Sequence, residues 1–326
     1  MTADGRYKPD VVAPGYYVVS AESNGDAETT SCSVAYSSGT SMATPIAAGA
    51  AALVRQYFAN GHYAKHTEYI AGVVSGSTCL SSYFCYNKTW ISGNLVKAIM
   101  VNGAEPIWAR YDYANGDEQN LGNPPTKEQG WGRVALEASV PVTQTSPYTG
   151  GTALFVDDNR TGIVPYETKS YKWNNVQTSG SQVPLHVTLV WNDPPNPNYE
   201  TATKQLVHDL DLTVTCDATG QVHYPNGGSS ADELNNVEKV NISHPMSCTS
   251  MTVEVIANAL SYSRPCTFDD DDSTCSTSSS PTQPYGKVYL QFYIYINSSL
   301  ETNTRSLHLI TVFSPLFSLF PRVQRW

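Results

Sequence analysis

The spacing of hydrophobic residues changes from a helical to an alternating pattern near residue 150 of this sequence. Residues 40–58 are apolar on almost every side, which predicts a helix that is buried all round, and a second, short helix is predicted at 94–104. In residues 185–191 and 288–296, apolar side chains occupy every second position. Because alternate side chains of a strand lie on opposite faces, this half predicts short antiparallel strands in an all-β sandwich or jelly roll.

Composition excludes several classes of protein. The 326 residues include 19 basic and 29 acidic side chains, a net charge of −10, whereas nucleic-acid-binding proteins carry a basic face. Hydrophobic residues make up 40% and charged residues 15%, which excludes a disordered chain. No apolar run, the tail at 307–320 included, reaches the roughly 18 residues of a spanning helix. The sequence predicts three parts: residues 1–145, a β-domain at 146–300 and a tail at 301–326.

Cysteines and glycosylation acceptors predict a secreted protein or one of the secretory and endolysosomal pathway. The 7 cysteines suggest the pairs Cys79–Cys85, Cys216–Cys248 and Cys266–Cys275, which leaves Cys32 unpaired. Asn-x-Ser/Thr acceptors begin at Asn87, Asn159, Asn241 and Asn297. The first residues lack the basic and apolar regions of a signal peptide, so we expect the N-terminus to be incomplete.

The segment GTSMATPIAAG, residues 39–49, places Ser41 at the start of the longer predicted helix. The first N–H groups of a helix have no intrahelical acceptor, and the helix dipole favours negative charge there. This environment suits an acyl-transfer nucleophile, because the developing oxyanion needs N–H donors. Gly39 permits a close approach to the turn, and Thr40 adds a hydroxyl. The alternative is that Ser41 only caps the helix, as serine often does.

Four ordered segments resemble the subtilisin-like serine peptidases. They are DGRYKPDVVAPG (4–15), GTSMATPIAAG (39–49), LVKA with NGA (95–98 and 102–104) and GWGRV (130–134). The segments VWNDP (190–194), HDLDL (208–212) and NNVE (235–238) are similar, more loosely, to the β-barrel domain that follows the catalytic domain in one branch of that family.

The resemblance implies an α/β fold, namely the C-terminal part of a subtilisin-like doubly wound parallel sheet, followed by the all-β domain. It implies a serine endopeptidase that hydrolyses a polypeptide substrate through an acyl-serine intermediate. Ser41 would be the nucleophile, its backbone N–H would donate to the oxyanion, and Thr40 would assist.

The general base that such a reaction needs is missing from the expected place. The family's triad runs in the order Asp, His, Ser, yet no histidine precedes His62. Asp4 and Asp10 belong to the segment before the serine and not to the family's Asp motif. We therefore expect a fragment without its base. The downstream histidines are not expected to replace it, because a triad depends on geometry; they include His62, His66, His186 and His208.

Further expectations concern ligands and partners. No organic cofactor is implied. Asp209 and Asp211 share one strand face and are candidate calcium ligands, although a solvated acidic face explains them more simply. A rival function is a non-catalytic secreted β-domain that binds a partner or a glycan, with a structural subtilase remnant. Some subtilases of this type precede membrane transporter segments, so a membrane-linked fusion outside this chain is a further expectation. Substrate preference and oligomeric state are not predicted.

Overall fold

The computed structural model describes residues 2–28, 33–63, 91–112, 116–140, 151–158, 163–174, 184–196, 198–243, 248, 250–260 and 288–296. Among these residues, the helices before residue 140 whose bounds are described are α1 (Thr40–Ala59), α2 (Gly93–Asn102) and α3 (Leu136–Ser139). Two antiparallel strand pairs lie among them: β1 (Val18–Glu22) with β2 (Ser33–Ser37), and β3 (Ala109–Asp112) with β4 (Asp117–Asn120). In these ranges, no helix is both long and apolar enough to cross a membrane.

The second half of the chain forms two antiparallel sheets, which we call the β unit (residues 151–296). Its strands are β5 (Gly151–Asp158), β6 (Thr168–Asn174), β7 (Leu185–Trp191), β8 (His208–Cys216), β9 (Val222–His223), β10 (Val237–Ile242), β11 (Ser250–Leu260) and β12 (Val288–Ile296). The strand orders are β10-β7-β12-β5 and β6-β11-β8-β9, and every pairing is antiparallel. A disulfide joins Cys216 to Cys248, with Cα atoms 5.5 Å apart.

The two sheets share one hydrophobic core. Val187 and Leu189 of β7 lie in the same buried cluster as Leu212 of β8 and Val253 of β11. These are alternate residues of their strands, as the sequence pattern predicts. β7 is also buried on its other face, because Val190 packs beside α2.

Residues 40–58 do lie in a helix, as predicted, but the prediction that this helix is buried on every side is wrong. Within α1 only Ala50, Val54, Tyr57 and Phe58 are buried. The exposed fraction is 38% for Ile46 and 52% for Leu53. One face of α1 packs against α2 and β5, but no described element covers the opposite face along its first turns.

A doubly wound parallel sheet is not present among the described residues. Their one parallel contact outside the named strands is an isolated bridge between Val12 and Arg133. A parallel sheet requires several extended neighbours, whereas every other strand contact among the described residues before 140 is antiparallel, namely the two strand pairs and the bridges Glu105–Arg133 and Thr126–Gly130. The predictions that fall outside the described residues concern the boundary near residue 145, the pairs Cys79–Cys85 and Cys266–Cys275, Cys32 and the tail 301–326.

Candidate active site

Ser41 is the second residue of α1, and its side chain is exposed. The chain enters the helix through Gly39, whose φ of +148° favours glycine. The Gly39 N–H donates to the carbonyl of Gly15 at 2.7 Å. A Cβ on Gly15 would lie 2.8 Å from the Gly39 oxygen and 3.2 Å from the Ala43 Cβ. The turn at Gly15 therefore packs closely against the start of α1, and the absence of a side chain at Gly15 permits this close contact.

The first turn of α1 presents backbone N–H groups beside the Ser41 hydroxyl. The Met42 and Ala43 N–H groups donate to the Gly39 carbonyl at 3.1 and 3.3 Å. The N–H groups of Thr40 and Ser41 precede any intrahelical acceptor, and no hydrogen bond from them is recorded among the described residues. They are therefore free to donate to an anion beside the Ser41 oxygen.

Pro45 lies inside α1 as its sixth residue. Pro45 lies beyond the first N–H groups of the helix, which have no intrahelical acceptor, and it lacks the N–H that would bond the Ser41 carbonyl. The Thr44 hydroxyl donates to the Thr40 carbonyl at 2.8 Å. The start of α1 is thus held partly by side-chain hydrogen bonding.

The other segments that resemble the subtilisin-like peptidases also contact one another. The Val12 N–H donates to Gly132 at 3.0 Å, and the Val134 N–H donates back to Val12 at 2.9 Å. A Cβ on Gly132 would collide with the backbone of Glu105, which follows α2. The GWGRV segment therefore joins the DGRYKPDVVAPG segment, at Val12, to Glu105 just after α2.

No histidine of the described residues hydrogen-bonds Ser41. His62 follows the end of α1, and its ring lies 5.7 Å from that of Tyr57, which is roughly 24 Å from Ser41 along the helix axis at about 1.5 Å per residue. His186 lies in β7, and burial, together with the charge of Lys239, lowers its pKa to about 3. His208 is buried in β8, and its Nδ1 lies 4.0 Å from Asp193. His66 lies outside the described residues.

The His208–Asp193 pair resembles a base and its orienting carboxylate, but its contacts are structural. The Asp193 carboxylate accepts from the N–H groups of Val207 and His208 at 2.8 and 2.7 Å. The His208 carbonyl accepts from the Trp191 indole at 3.0 Å. The side chain of His208 is only 3% exposed, so a substrate has no access to it.

Asp4 and Asp10, both in the segment before the serine, are engaged in ion pairs. Asp4 pairs with Arg6 at 2.7 Å. Asp10 lies 2.7 Å from Lys8 and 3.1 Å from Lys97 of α2. Burial raises the pKa of Asp10, but these two ammonium groups outweigh it and lower the pKa overall. The two carboxylates fix the segment in place and do not orient a base.

Comparison with known proteins agrees with this geometry. Residues 1–132 match the subtilase family of peptidases. Those residues, which we call the subtilase segment, contain Ser41, the turn at Gly15 and residues 130–132 of the GWGRV segment.

Two curated relatives from Dictyostelium discoideum match more of the chain than the subtilase segment. The serine protease/ABC transporter B family protein tagD is 31% identical over 286 residues, covering 73% of this chain. The protein of the same description named tagB is 30% identical over 283 residues, again covering 73%. The similarity therefore continues into the β unit. This chain spans only 14% of the length of each relative.

The β unit contains a buried acidic cluster, which we define as Asp209, Asp211 and Glu238. Glu238 is fully buried, and its Oε2 accepts from the Leu212 N–H at 2.6 Å, while its Oε1 has no hydrogen-bond partner among the described residues. Burial, with repulsion from Asp211, raises the pKa of Glu238 well above its usual value. Burial and the charge of Asp209 raise the pKa of Asp211 to about 6.

This cluster does not have the arrangement of a calcium site. Among the described residues, no three His, Cys, Asp or Glu side chains are placed to share a metal ion. Asp209 pairs with Lys204 at 3.0 Å, and Asp211 accepts from Asn258. The oxygens that calcium would need are partly used by these groups. The prediction of calcium at Asp209 and Asp211 therefore gains no support.

Three donor side chains, those of Lys239, Asn102 and Trp131, connect the β unit to the subtilase segment through contacts that sequence reasoning missed. The Lys239 ammonium donates to the carbonyls of Val101 and Asn102 at 3.0 and 2.8 Å. The Asn102 amide donates to the Thr188 hydroxyl at 2.9 Å, and the Trp131 indole donates to Asn226 at 3.1 Å. The only sequence signal for these contacts was a Pro-Asn-Gly turn at Asn226. Lys239 gave no such signal, because a lysine in an alternating strand is normally assigned to the solvent-exposed face.

Proposed function

We propose that Ser41 is the nucleophile of a serine endopeptidase of the subtilase type, and that the general base comes from polypeptide other than this chain. The observation that carries the proposal is the position of Ser41. It is exposed in the first turn of α1, beside N–H groups without intrahelical acceptors, within the subtilase segment. The substrate class is a polypeptide.

In the proposed reaction, the Ser41 Oγ attacks the carbonyl carbon of a peptide bond and gives up its proton to the base. The negative charge that forms on the carbonyl oxygen is stabilised by the Ser41 N–H, with Thr40 beside it. The base then protonates the leaving amine, and water hydrolyses the acyl-serine. This chain supplies the nucleophile and an oxyanion donor.

Three observations support an external base. Among the described residues no histidine hydrogen-bonds Ser41, and the carboxylates of Asp4 and Asp10 are held by arginine and by lysines. The uncovered face of α1 also begins at the turns next to Ser41, where Ile46 is 38% exposed. A further polypeptide packed on that face would lie close enough to place a histidine at the Ser41 hydroxyl.

A fluorophosphonate probe, which labels activated serines, tests this proposal. This chain alone is expected to give no labelling. The same chain joined to the region that precedes the aligned stretch in tagD is expected to be labelled at Ser41. Ser41→Ala in that fusion should abolish labelling, whereas Ser20→Ala, which changes an exposed serine of β1, should leave it unchanged.

Either of two results would overturn the proposal. Labelling of Ser41 in the chain alone would mean that the base lies within it. A folded fusion that shows no labelling would favour the rival function, a non-catalytic β unit that binds a partner or a glycan. The shared polar contacts of Lys239 and Asn102 weigh against a detached binding module.

We further propose that the protein works in an oxidising compartment of the secretory pathway. The Cys216–Cys248 disulfide supports this, because such bonds persist mainly outside the reducing cytosol. Linkage to a transporter in one polypeptide is also proposed, because the relatives tagD and tagB are serine protease/ABC transporter B family proteins. Non-reducing peptide mapping of the natural protein would contradict the compartment if Cys216 and Cys248 were free thiols.

A further inference from the structure

A glycosylation acceptor lies on the edge strand of the β unit. Asn241, Ile242 and Ser243 form an Asn-x-Ser sequence, and β10 is the outermost strand of its sheet. Among the described strands β10 pairs with β7 alone, and there Asn241 lies opposite His186. The other three acceptors begin at Asn87, Asn159 and Asn297, outside the described residues.

The outer edge of β10 is closed at its beginning by one side chain. The Asn226 amide nitrogen donates to the Val237 carbonyl at 3.0 Å, and its oxygen accepts from the Lys239 N–H at 3.1 Å. This paired contact imitates a neighbouring strand. It also shows that the backbone groups of Val237 and Lys239 point away from β7.

The same edge is open at Asn241. Backbone groups of alternate residues in a strand point to the same side, so those of Asn241 point outward as those of Lys239 do. No hydrogen bond to the outward groups of Asn241 is recorded among the described residues. The side chains of Asn241 and Ser243 are exposed, while Val240 and Ile242 are buried. The acceptor amide is therefore accessible in the folded protein.

We propose that Asn241 carries an N-linked oligosaccharide that covers the open end of the β10 edge. The proposal rests on the proposed secretory compartment. The Asn241 amide nitrogen forms a bond to the first sugar carbon of a polyprenyl-diphosphate-linked oligosaccharide. The bond between that carbon and the diphosphate oxygen breaks, the polyprenyl diphosphate leaves, and the amide proton passes to a base of the transferase.

An open edge gives this modification a physical role. Unpaired backbone groups on an edge strand are a template for pairing with a strand of another molecule. Asn226 blocks such pairing at Val237 and Lys239, but nothing among the described residues does so at Asn241. A bulky, hydrated sugar there would prevent a second β10 from approaching.

The test uses this chain directed to the secretory pathway of insect cells by an added signal sequence. Peptide mass spectrometry after glycosidase treatment in ¹⁸O water measures the occupancy of Asn241. We expect more than half of the molecules to be modified. Ser243→Ala should abolish the modification while keeping the asparagine, and Ser243→Thr, the matched control, should retain it.

Self-association is measured by size-exclusion chromatography with light scattering. At equal concentration, Ser243→Ala is expected to show at least a threefold larger associated fraction than wild type or Ser243→Thr. If Ser243→Ala is not secreted, the glycan can be removed enzymatically from folded protein in which Asn87, Asn159 and Asn297 are changed to glutamine.

Two outcomes would overturn the proposal. An unmodified Asn241 in the secreted wild-type chain would show that Asn241 is not a glycosylation site. An associated fraction that is unchanged after loss of the glycan would show that the glycan does not shield the β10 edge. Fluorophosphonate labelling of Ser41 does not depend on this glycan, so a failure here is distinguishable from a failure of the proposed peptidase function.

Discussion

The ammonium nitrogen of Lys239 lies 2.8 Å from the carbonyl oxygen of Asn102. This contact joins β10 of the β unit to the last residue of α2. The last carbonyls of a helix lack intrahelical donors, and they favour a positive charge. Lys239 is buried, with 4% of its surface exposed, and among the described residues its ammonium bonds to carbonyls and not to a carboxylate. The end of α2 is therefore the partner of an otherwise uncompensated cation.

Replacing Lys239 is expected to change how stability depends on pH. Burial lowers the pKa of Lys239 to about 7 from its usual 10.5. Between these values the unfolded chain binds more protons than the folded one, so this lysine makes the unfolding free energy rise with pH. In Lys239→Met this contribution should vanish, which changes the slope by at most about 1.4 kcal/mol per pH unit. Urea unfolding at pH 7, 8, 9 and 10 measures it.

The control for this prediction is Lys127→Met. The Lys127 side chain is 68% exposed, and its recorded ion pair is a contact of 3.8 Å with Glu128. It should leave the pH dependence unchanged. A Lys239→Met profile parallel to that of wild type would mean that Lys239 keeps an ordinary pKa, and hence that water reaches it.

Glu238 is expected to change the unfolding free energy with pH in the direction opposite to that of Lys239. Burial and the charge of Asp211 raise its pKa, so the folded chain binds more protons than the unfolded one above about pH 4.5. Wild-type stability should therefore fall as pH rises through that range. Glu238→Gln keeps an acceptor for the Leu212 N–H and removes the charge. We expect it to gain stability relative to wild type, on the order of 1–3 kcal/mol at pH 8.

Thermal and urea unfolding between pH 4.5 and 8 measure this difference, with Glu22→Gln on the exposed strand β1 as control. The gain should be near zero at pH 4.5 and should grow with pH. A constant difference across the range, or a loss at pH 8, would contradict the description of Glu238 as a buried, repelled carboxyl.

Gly15, which packs against the start of α1, and Gly49, which lies within α1, are expected to respond differently to an added methyl group. In Gly15→Ala the Cβ would lie 2.8 Å from the Gly39 oxygen, so the turn must shift, at a cost of about 1–3 kcal/mol. In Gly49→Ala the Cβ meets nothing within 4 Å, and alanine in a helix should stabilise by about 0.5–1 kcal/mol. Circular dichroism during urea unfolding measures both. A destabilised Gly49→Ala would show that the open face of α1 is covered.

Local patterns predicted much of this molecule. The alternation in residues 185–191 gave the strand Leu185–Trp191, and the alanine-rich stretch gave the helix Thr40–Ala59 with Ser41 at its start. These features depend on side-chain period and on helix-end chemistry, which neighbouring residues decide. Burial of α1 was predicted wrongly, because an apolar face says what a helix can pack against but not whether a partner is present.

By itself, the sequence determined the two kinds of secondary structure, the change near residue 150 and the nucleophile candidate Ser41, because each follows from residues close together in the chain. Only the tertiary structure decided that Lys239 meets the end of α2, that Asn226 closes the edge of β10 and that Glu238 is buried beside Asp211. Each of these contacts joins residues distant in sequence or depends on burial. No local pattern encodes the partner of a buried charge, since that partner is chosen by how the sheets and helices pack.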